Sequence, residues 1–121
     1  STHSEQGFDF FLQAVAKSLC QMGYDAVTTE HNDILVNGYK VAGFACYTAS
    51  TGTVVHACML YDVDLDALQR AITPSVAKLQ KHAVQSVRQR VHNLREWHDW
   101  GEIAAFREEI STLLSKNLQE S

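Results

Sequence analysis

The sequence predicts an α+β fold, an antiparallel strand meander flanked by helices. Three observations carry this expectation. A helical apolar period opens the chain, a run of short strand-like segments joined by tight turns follows, and a second helical period closes it. The 121 residues suit one domain with a single core, spanning 1–121. A composition that is 45% hydrophobic and 20% charged belongs to a globular protein and excludes a disordered tail.

Each element follows from its own residues. Thr2-His3-Ser4-Glu5 has the form of a capping box, with Ser4 as a competing cap. Phe8, Phe11, Leu12, Val15, Leu19 and Met22 then recur at helical spacing, and Gly23 is suited to end the helix because it adopts the left-handed conformation freely. Residues 24–29 and 34–37 are short and rich in β-branched side chains. Val36-Asn37-Gly38-Tyr39 has the signature of a two-residue hairpin, whose central positions need positive φ. Residues 40–48 and 53–61 form the next strands, joined by the polar turn Ala49-Ser50-Thr51-Gly52. Consecutive strands connected this tightly form an antiparallel meander.

Beyond the meander, Asp64 is placed to cap a short helix carrying Leu65, Leu68 and Ile72, which Pro74 ends. Val76 and Leu79 fit a further helical turn, and residues 86–94 read as an irregular strand with Val87 and Val91 on one side. Asp99 is expected to cap a last helix that turns Ile103, Phe106, Ile110, Leu113 and Leu114 toward a core. Trp97 and Trp100 are read as core anchors at the start of that helix in preference to a partner surface.

Charge and cysteine content narrow the function. A net charge of −4 argues against a generally basic nucleic-acid surface. No apolar run approaches membrane-spanning length, and no signal-peptide pattern opens the chain. Neither nucleic acid nor membrane is therefore expected as a partner. Cys20, Cys46 and Cys58 are odd in number and contain no C-x-x-C pair, so they are expected to be buried reduced thiols, which suits the cytosol. The six histidines show no H-E-x-x-H spacing and imply no metal site.

Lys40 stands out, because it opens a strand of small, buried-looking residues, Val41, Ala42 and Gly43. Position alone favours an ordinary role, since lysines at strand starts usually face water and protect sheet edges. The surrounding motifs change that weighing. Asn32-Asp33-Ile34-Leu35-Val36 is followed by Lys40-Val41-Ala42-Gly43, then by His56-Ala57-Cys58-Met59-Leu60 with Asp62-Val63-Asp64. Ser86-Val87-Arg88-Gln89-Arg90-Val91-His92-Asn93-Leu94 comes last. In order and spacing these resemble the N-D-[LIV]-x-V, K-[IV]-[SA]-G, H-G-[TS]-L-L and S-V-x-x-R-V-x-N-L segments of the lipoate–protein ligase catalytic domain, within the biotin/lipoate ligase superfamily. The likeness runs from the first helix to Leu94 and, less distinctly, through the last helix.

The resemblance implies a biotin/lipoate ligase-like (class II synthetase-like) domain. It implies that ATP activates lipoate as an acyl adenylate, which is then transferred to a lysine of a lipoyl carrier domain. The carriers implied are the acyltransferase subunit of 2-oxoacid dehydrogenases and the glycine cleavage H protein. Lys40 is then the catalytic residue. Its point charge would meet the acyl carboxylate and the phosphate that joins it to adenosine, where negative charge develops. Asp33 would orient the Lys40 ammonium and bind magnesium, and Asn32 would donate to a phosphate or ribose oxygen. On the residues alone, turn chemistry explains Asn32 and Asp33 better. Gly43 fits a close backbone approach to ligand, although a strand bulge is its ordinary reading. His56 fits a nucleotide contact, and equally a satisfied histidine on a half-buried strand. Arg90 is expected to order the loop before Asn93.

This sequence also departs from the family pattern. Phe44 stands where a polar residue is usual, Ala42 where a small hydroxyl residue is common, and Ala57 replaces the glycine after the histidine. Tyr47 lies where some ligases have an arginine, and His31 where an arginine often precedes N-D. The family's R-R-x-x-G-G-G segment has no counterpart: the six glycines are never adjacent, and the first arginine is Arg70. The expectation is a partial domain, inactive by itself, that self-associates or meets a partner supplying the other half. Two other functions stay open. One is a non-catalytic binding protein for a lipoyl domain or acyl group, which Phe44 and the missing segment favour. The other is an octanoyl transferase relative, although residues 24–31 hold none of the cysteines such enzymes use there.

Overall fold

The computed structural model describes residues 3–68, 70 and 90–120. Helix α1 (His3–Gln21) buries Leu12, Val15, Ala16 and Leu19 along one face, and Met22 is buried just beyond its end. Its end follows from Gly23, whose φ of 102° only a glycine adopts without strain. The Gly23 N–H donates to the Cys20 carbonyl and the Tyr24 N–H to the Leu19 carbonyl, so the last turn satisfies its own acceptors. The proposed capping box at Thr2, Ser4 and Glu5 lies outside the described side chains.

Strands β1 (Ala26–Thr28), β2 (Asp33–Val36), β3 (Tyr39–Ala49) and β4 (Gly52–Met59) form one antiparallel sheet in sequence order. The β2–β3 turn has φ of 54° at Asn37 and 83° at Gly38, the pair of positive values that the Asn-Gly signature predicts. Strand β4 ends two residues earlier than the expected 53–61. Leu60 still donates to the Val41 carbonyl, but Tyr61 turns inward and is buried. Helix α2 (Ile103–Gln119) packs against α1, with Phe106 and Ile110 buried and Leu113 and Leu114 against the core. Ile103 is a correction: at 47% exposure it is not turned into the core, standing at the first position of the helix, a turn before the buried Phe106. The core thus lies between the two helices and one face of the sheet, where Ile34, Val36, Val41 and Ala42 are buried.

Asp99 does not cap α2. The N-cap is Glu102, without a side-chain cap hydrogen bond. Asp99 instead accepts from the Gly101 N–H at 2.8 Å and from Arg95 Nε at 2.9 Å, and these donors hold its carboxyl below the usual range. Asp64 does cap, accepting from the Ala67 N–H at 3.0 Å, and residues 65–68 are helical. Ile72, Pro74, Val76, Leu79 and Val87 lie outside the described residues. Of the expected strand 86–94, Val91 forms an isolated parallel bridge with Lys40, and Leu94–Glu96 is already a 3₁₀ turn.

The cysteines are exposed and free, not buried. Cys20 lies on the outer side of α1, Cys46 on β3 where the strand runs beyond the core, and Cys58 on the sheet face away from the helices. Among the described residues no helix is long and apolar enough to cross a membrane.

Two tyrosines join the sheet to the segment before α2. The Tyr61 ring stacks on Phe106 at 4.2 Å, and its hydroxyl donates to the Gly101 carbonyl at 2.7 Å while accepting from the Trp100 N–H. The Tyr24 hydroxyl lies 3.0 Å from the Leu94 and His98 carbonyls and accepts from Trp100 Nε1 at 3.0 Å. Trp97 and Trp100 are partly buried against the core, as anchors at a helix start should be. Between the helices, the Asn117 amide donates to Ser18 Oγ and Gln21 Oε1, both at 2.9 Å, and its buried carbonyl has no partner.

Burial pushes the Tyr24 phenol up to about 12. Because the folded value lies above the unfolded one, its stabilisation is full below pH ~10 and is lost as pH rises through that interval. Tyr24→Phe should cost about 1–3 kcal/mol by leaving buried groups unpaired, and should flatten the alkaline limb. Urea melts of both proteins from neutral to strongly alkaline pH measure the two effects. Equal midpoints at neutral pH would contradict this role.

Candidate functional site on the open face of the sheet

The site begins with an interruption in β3. Asp33 pairs with Gly43 and Ile34 with Ala42, but the next residue of β2, Leu35, pairs with Lys40. Strand β3 therefore holds one extra residue between Lys40 and Ala42, a β-bulge. Without it, Lys40 would share a face with Ala42, which is 2% exposed in the core. With it, Val41 and Ala42 both turn inward and Lys40 turns to the opposite face.

On that face Lys40 meets Asp33. Its Nζ lies 3.2 Å from Asp33 Oδ1, with the side chains 30% and 14% exposed, so both charges are partly withdrawn from water and compensate each other. Gly43, the register partner of Asp33, lies directly beneath this pair. A Cβ there would lie 3.4 Å from Lys40 Cε and 3.6 Å from both Nζ and Asp33 Oδ1. The backbone of Lys40 is held on the other side by residues 90–92. Its N–H donates to the Arg90 carbonyl at 2.8 Å, and its carbonyl accepts from the His92 N–H at 3.3 Å.

The structure brings Lys40, Asp33 and Gly43 together. His56 pairs with Ala45, so it shares their face, but it lies toward the hairpin end, exposed and stacked on Tyr47 at 5.5 Å. Asn32 precedes β2 with a φ of 63°, its N–H donating to the Thr29 carbonyl and its own carbonyl accepting from the Phe44 N–H. Its backbone thus does turn work while its side chain is exposed beside the site. Among the described residues no three His, Cys, Asp or Glu side chains gather as a metal cluster.

Phe44 is not at the site. It pairs with Ala57 on the core face and meets Phe11 edge-on at 5.8 Å, so it neither blocks nor replaces a group beside Lys40. Of the two sequence arguments for a non-catalytic protein, Phe44 and the missing glycine-rich segment, this removes the first. Arg90 lies over the Tyr39 ring at 4.2 Å, beside the Lys40 backbone. Sequence reasoning offered a bulge at Gly43 but missed its position between Lys40 and Ala42, and it missed the clamp at residues 90–92. The adjacent buried pair Val41-Ala42, which breaks strand alternation directly after a lysine, was the available signal for the bulge.

A family model described as the lipoyl protein ligase A/B catalytic domain matches residues 1–115. Lipoate–protein ligase 1 of Staphylococcus aureus is 31% identical over 109 residues, covering 89% of this chain and 33% of the relative. A lipoate–protein ligase A solved with ATP superposes with a TM-score of 0.73 at 28% identity, covering 98% of this chain and 48% of that one. A bipartite lipoate protein ligase of Thermoplasma acidophilum, studied with its E2 lipoyl domain, gives 0.71 at 26% identity, covering 98% and 47%. The chain spans about a third of the length of the curated relatives it matches. The fold is the biotin/lipoate ligase-like one that the motif order implied. On the match across nearly its whole length, the chain belongs to the lipoyl protein ligase A/B catalytic domain family.

Proposed function

We propose that this chain is part of a lipoate–protein ligase, which activates lipoate with ATP and transfers it to a lysine of a lipoyl carrier domain. The observation that carries the reading is the Lys40 ammonium, aimed by a bulge onto the open sheet face beside Asp33. In the first step a lipoate carboxylate oxygen attacks the α-phosphorus and pyrophosphate leaves. In the second, the carrier lysine amine attacks the acyl carbonyl, AMP leaves with the bonding electron pair, and the amine gives up its proton. Both steps crowd anionic oxygens around one carbonyl, and Lys40 answers that charge without reorganising, since its stem is fixed on a strand.

Asp33 sets the direction of the ammonium, and Gly43, beneath the pair, fits a close backbone approach to substrate. Asn32 and His56 border the same face and are assigned to the nucleotide. Magnesium would enter with the phosphates of ATP, and Asp33 is the residue that would offer it an oxygen. One carboxylate suffices for an ion that takes its remaining ligands from phosphate and water. The carriers assigned are the 2-oxoacid dehydrogenase acyltransferase subunit and the glycine cleavage H protein, and the compartment is the cytoplasm.

Residues 1–121 are read as one partial ligase domain, since the solved ligases extend over about twice this length. Its far edge is β4, last in the sheet order and unpaired on its outer side among the described residues. Such an edge offers backbone donors and acceptors to another strand, from a second copy or from a complementing segment.

Lys40→Ala in the complete ligase should abolish ATP–pyrophosphate exchange with lipoate, at a stability cost of about 1–3 kcal/mol from the Asp33 carboxylate left without its partner. Wild-type exchange rates in this variant would remove Lys40 from the chemistry. Residues 1–121 alone, given ATP, magnesium, lipoate and an apo lipoyl domain, should yield no lipoylated product by mass, and turnover would show that the half site suffices. The same polypeptide should sediment as more than a monomer at the upper end of a dilution series. A compact monomer at every concentration would mean that the β4 edge needs no partner.

A further inference from the structure

We propose that Asn93 is a positioning residue for Lys40. By closing its carboxamide on the Val63 peptide, it holds residues 90–92 against the Lys40 backbone and so keeps the bulge that aims the ammonium. The inference rests on the reading of Lys40 given above, and it concerns a residue that touches neither Lys40 nor the open face.

Asn93 is 7% exposed and fully used. Its Oδ1 accepts from the Val63 N–H at 3.0 Å and its Nδ2 donates to the Val63 carbonyl at 2.9 Å, so the side chain does for Val63 what a neighbouring strand would do. The residues beside it continue the seam, with Leu94 N–H donating to the Leu60 carbonyl at 2.8 Å and Arg95 N–H to the Tyr61 carbonyl at 2.9 Å. On its other side come the two bonds that hold Lys40, from the Arg90 carbonyl and the His92 N–H. The Val41 carbonyl accepts from Leu60 on this same side. Lys40 and Val41 thus both present backbone groups to one side of β3, the first to residues 90–92 and the second to Leu60, which regular alternation forbids and a bulge allows. The seam through Asn93 supplies partners for that irregular pair. Without it the extra residue has less to hold it, and strand alternation pulls Lys40 toward the core side that Ala42 occupies.

The chemistry of the carboxamide gives a specific test. Asn93→Asp keeps the shape and, when ionised, replaces the donor to the Val63 carbonyl with a second acceptor. When protonated, the variant carboxyl again offers one donor and one acceptor. In the complete ligase, kcat for ATP–pyrophosphate exchange should fall roughly tenfold or more, with KM for ATP and lipoate within about twofold, as expected for a misplaced group that does not bind ground-state substrate. The ratio of variant to wild-type kcat should recover as pH falls from about 8 to about 6, since burial beside a carbonyl raises the carboxyl pKa. Hydrogen exchange at the Lys40 and His92 amides should quicken in the variant at the higher pH, while amides shared by β1 and β2 keep their protection.

Asn93→Ala serves as the second variant, because it removes both bonds without burying a charge. It should lose kcat and amide protection with no pH recovery, and it carries the test where the aspartate variant does not fold. Wild-type kcat in either variant, or lost Lys40 protection with kcat unchanged, overturns the proposal. A wild-type enzyme without exchange activity would instead refute the reading of Lys40, and the amide exchange would still decide whether Asn93 holds the clamp.

Discussion

In a β-strand the side chain two residues along returns to the same face, and this geometry sets the terms for everything around Lys40. A charged group cannot share the face of Ala42 without entering the core between the sheet and helices α1 and α2. One extra residue in β3 resolves the conflict, turning two apolar side chains inward and the ammonium outward. The helices, the inner face of the sheet and the buried Tyr61 then have one consistent filling. The outer face receives a paired charge on a rigid support.

The outer face is assembled from separate decisions that meet at one point. The Asn37-Gly38 turn sets Leu35 opposite Lys40, and the bulge then moves the register by one residue, which places Asp33 against Gly43. At Gly43 the Lys40 side chain passes over the backbone to reach the carboxylate. Residues 90–92 arrive from a distant part of the chain to satisfy the backbone of the same lysine. Charge and backbone pairing are therefore supplied by different segments. The ion pair is no more buried than its mutual compensation can support.

Much of this was legible in the sequence because it is written in local periods. The first helix, the hairpin turn, the meander and the Asp64 cap follow from neighbours a few residues apart, and the motif order identified the family. What was not legible depends on contacts between distant residues. Asp99 looked like a cap because an aspartate preceded an apolar period, yet Arg95 and Gly101 compete for its oxygens. The cysteines read as buried because thiols usually are, while their exposure depends on which side of α1 Cys20 takes, how far β3 carries Cys46 beyond the core, and which sheet face holds Cys58. Phe44 looked like a change in the pocket because sequence adjacency to Lys40 hides which face a residue takes. The bulge lies between these cases: its trace, Val41 next to Ala42, is local, but its meaning needs the register with β2.

The buried amide of Asn117 has a consequence for how the two helices meet. Apolar stripes alone tolerate sliding, since a shift of one turn, about 5.4 Å, returns similar side chains to similar places. Here both amide protons are committed to Ser18 and Gln21, one turn apart on α1. A slipped alignment would strand those protons in a dry interface, on top of the carbonyl already left without a partner. The pair of helices is therefore keyed as well as greased. The floor beneath the sheet has one vertical setting, and the height at which β3 presents its lysine is inherited from it.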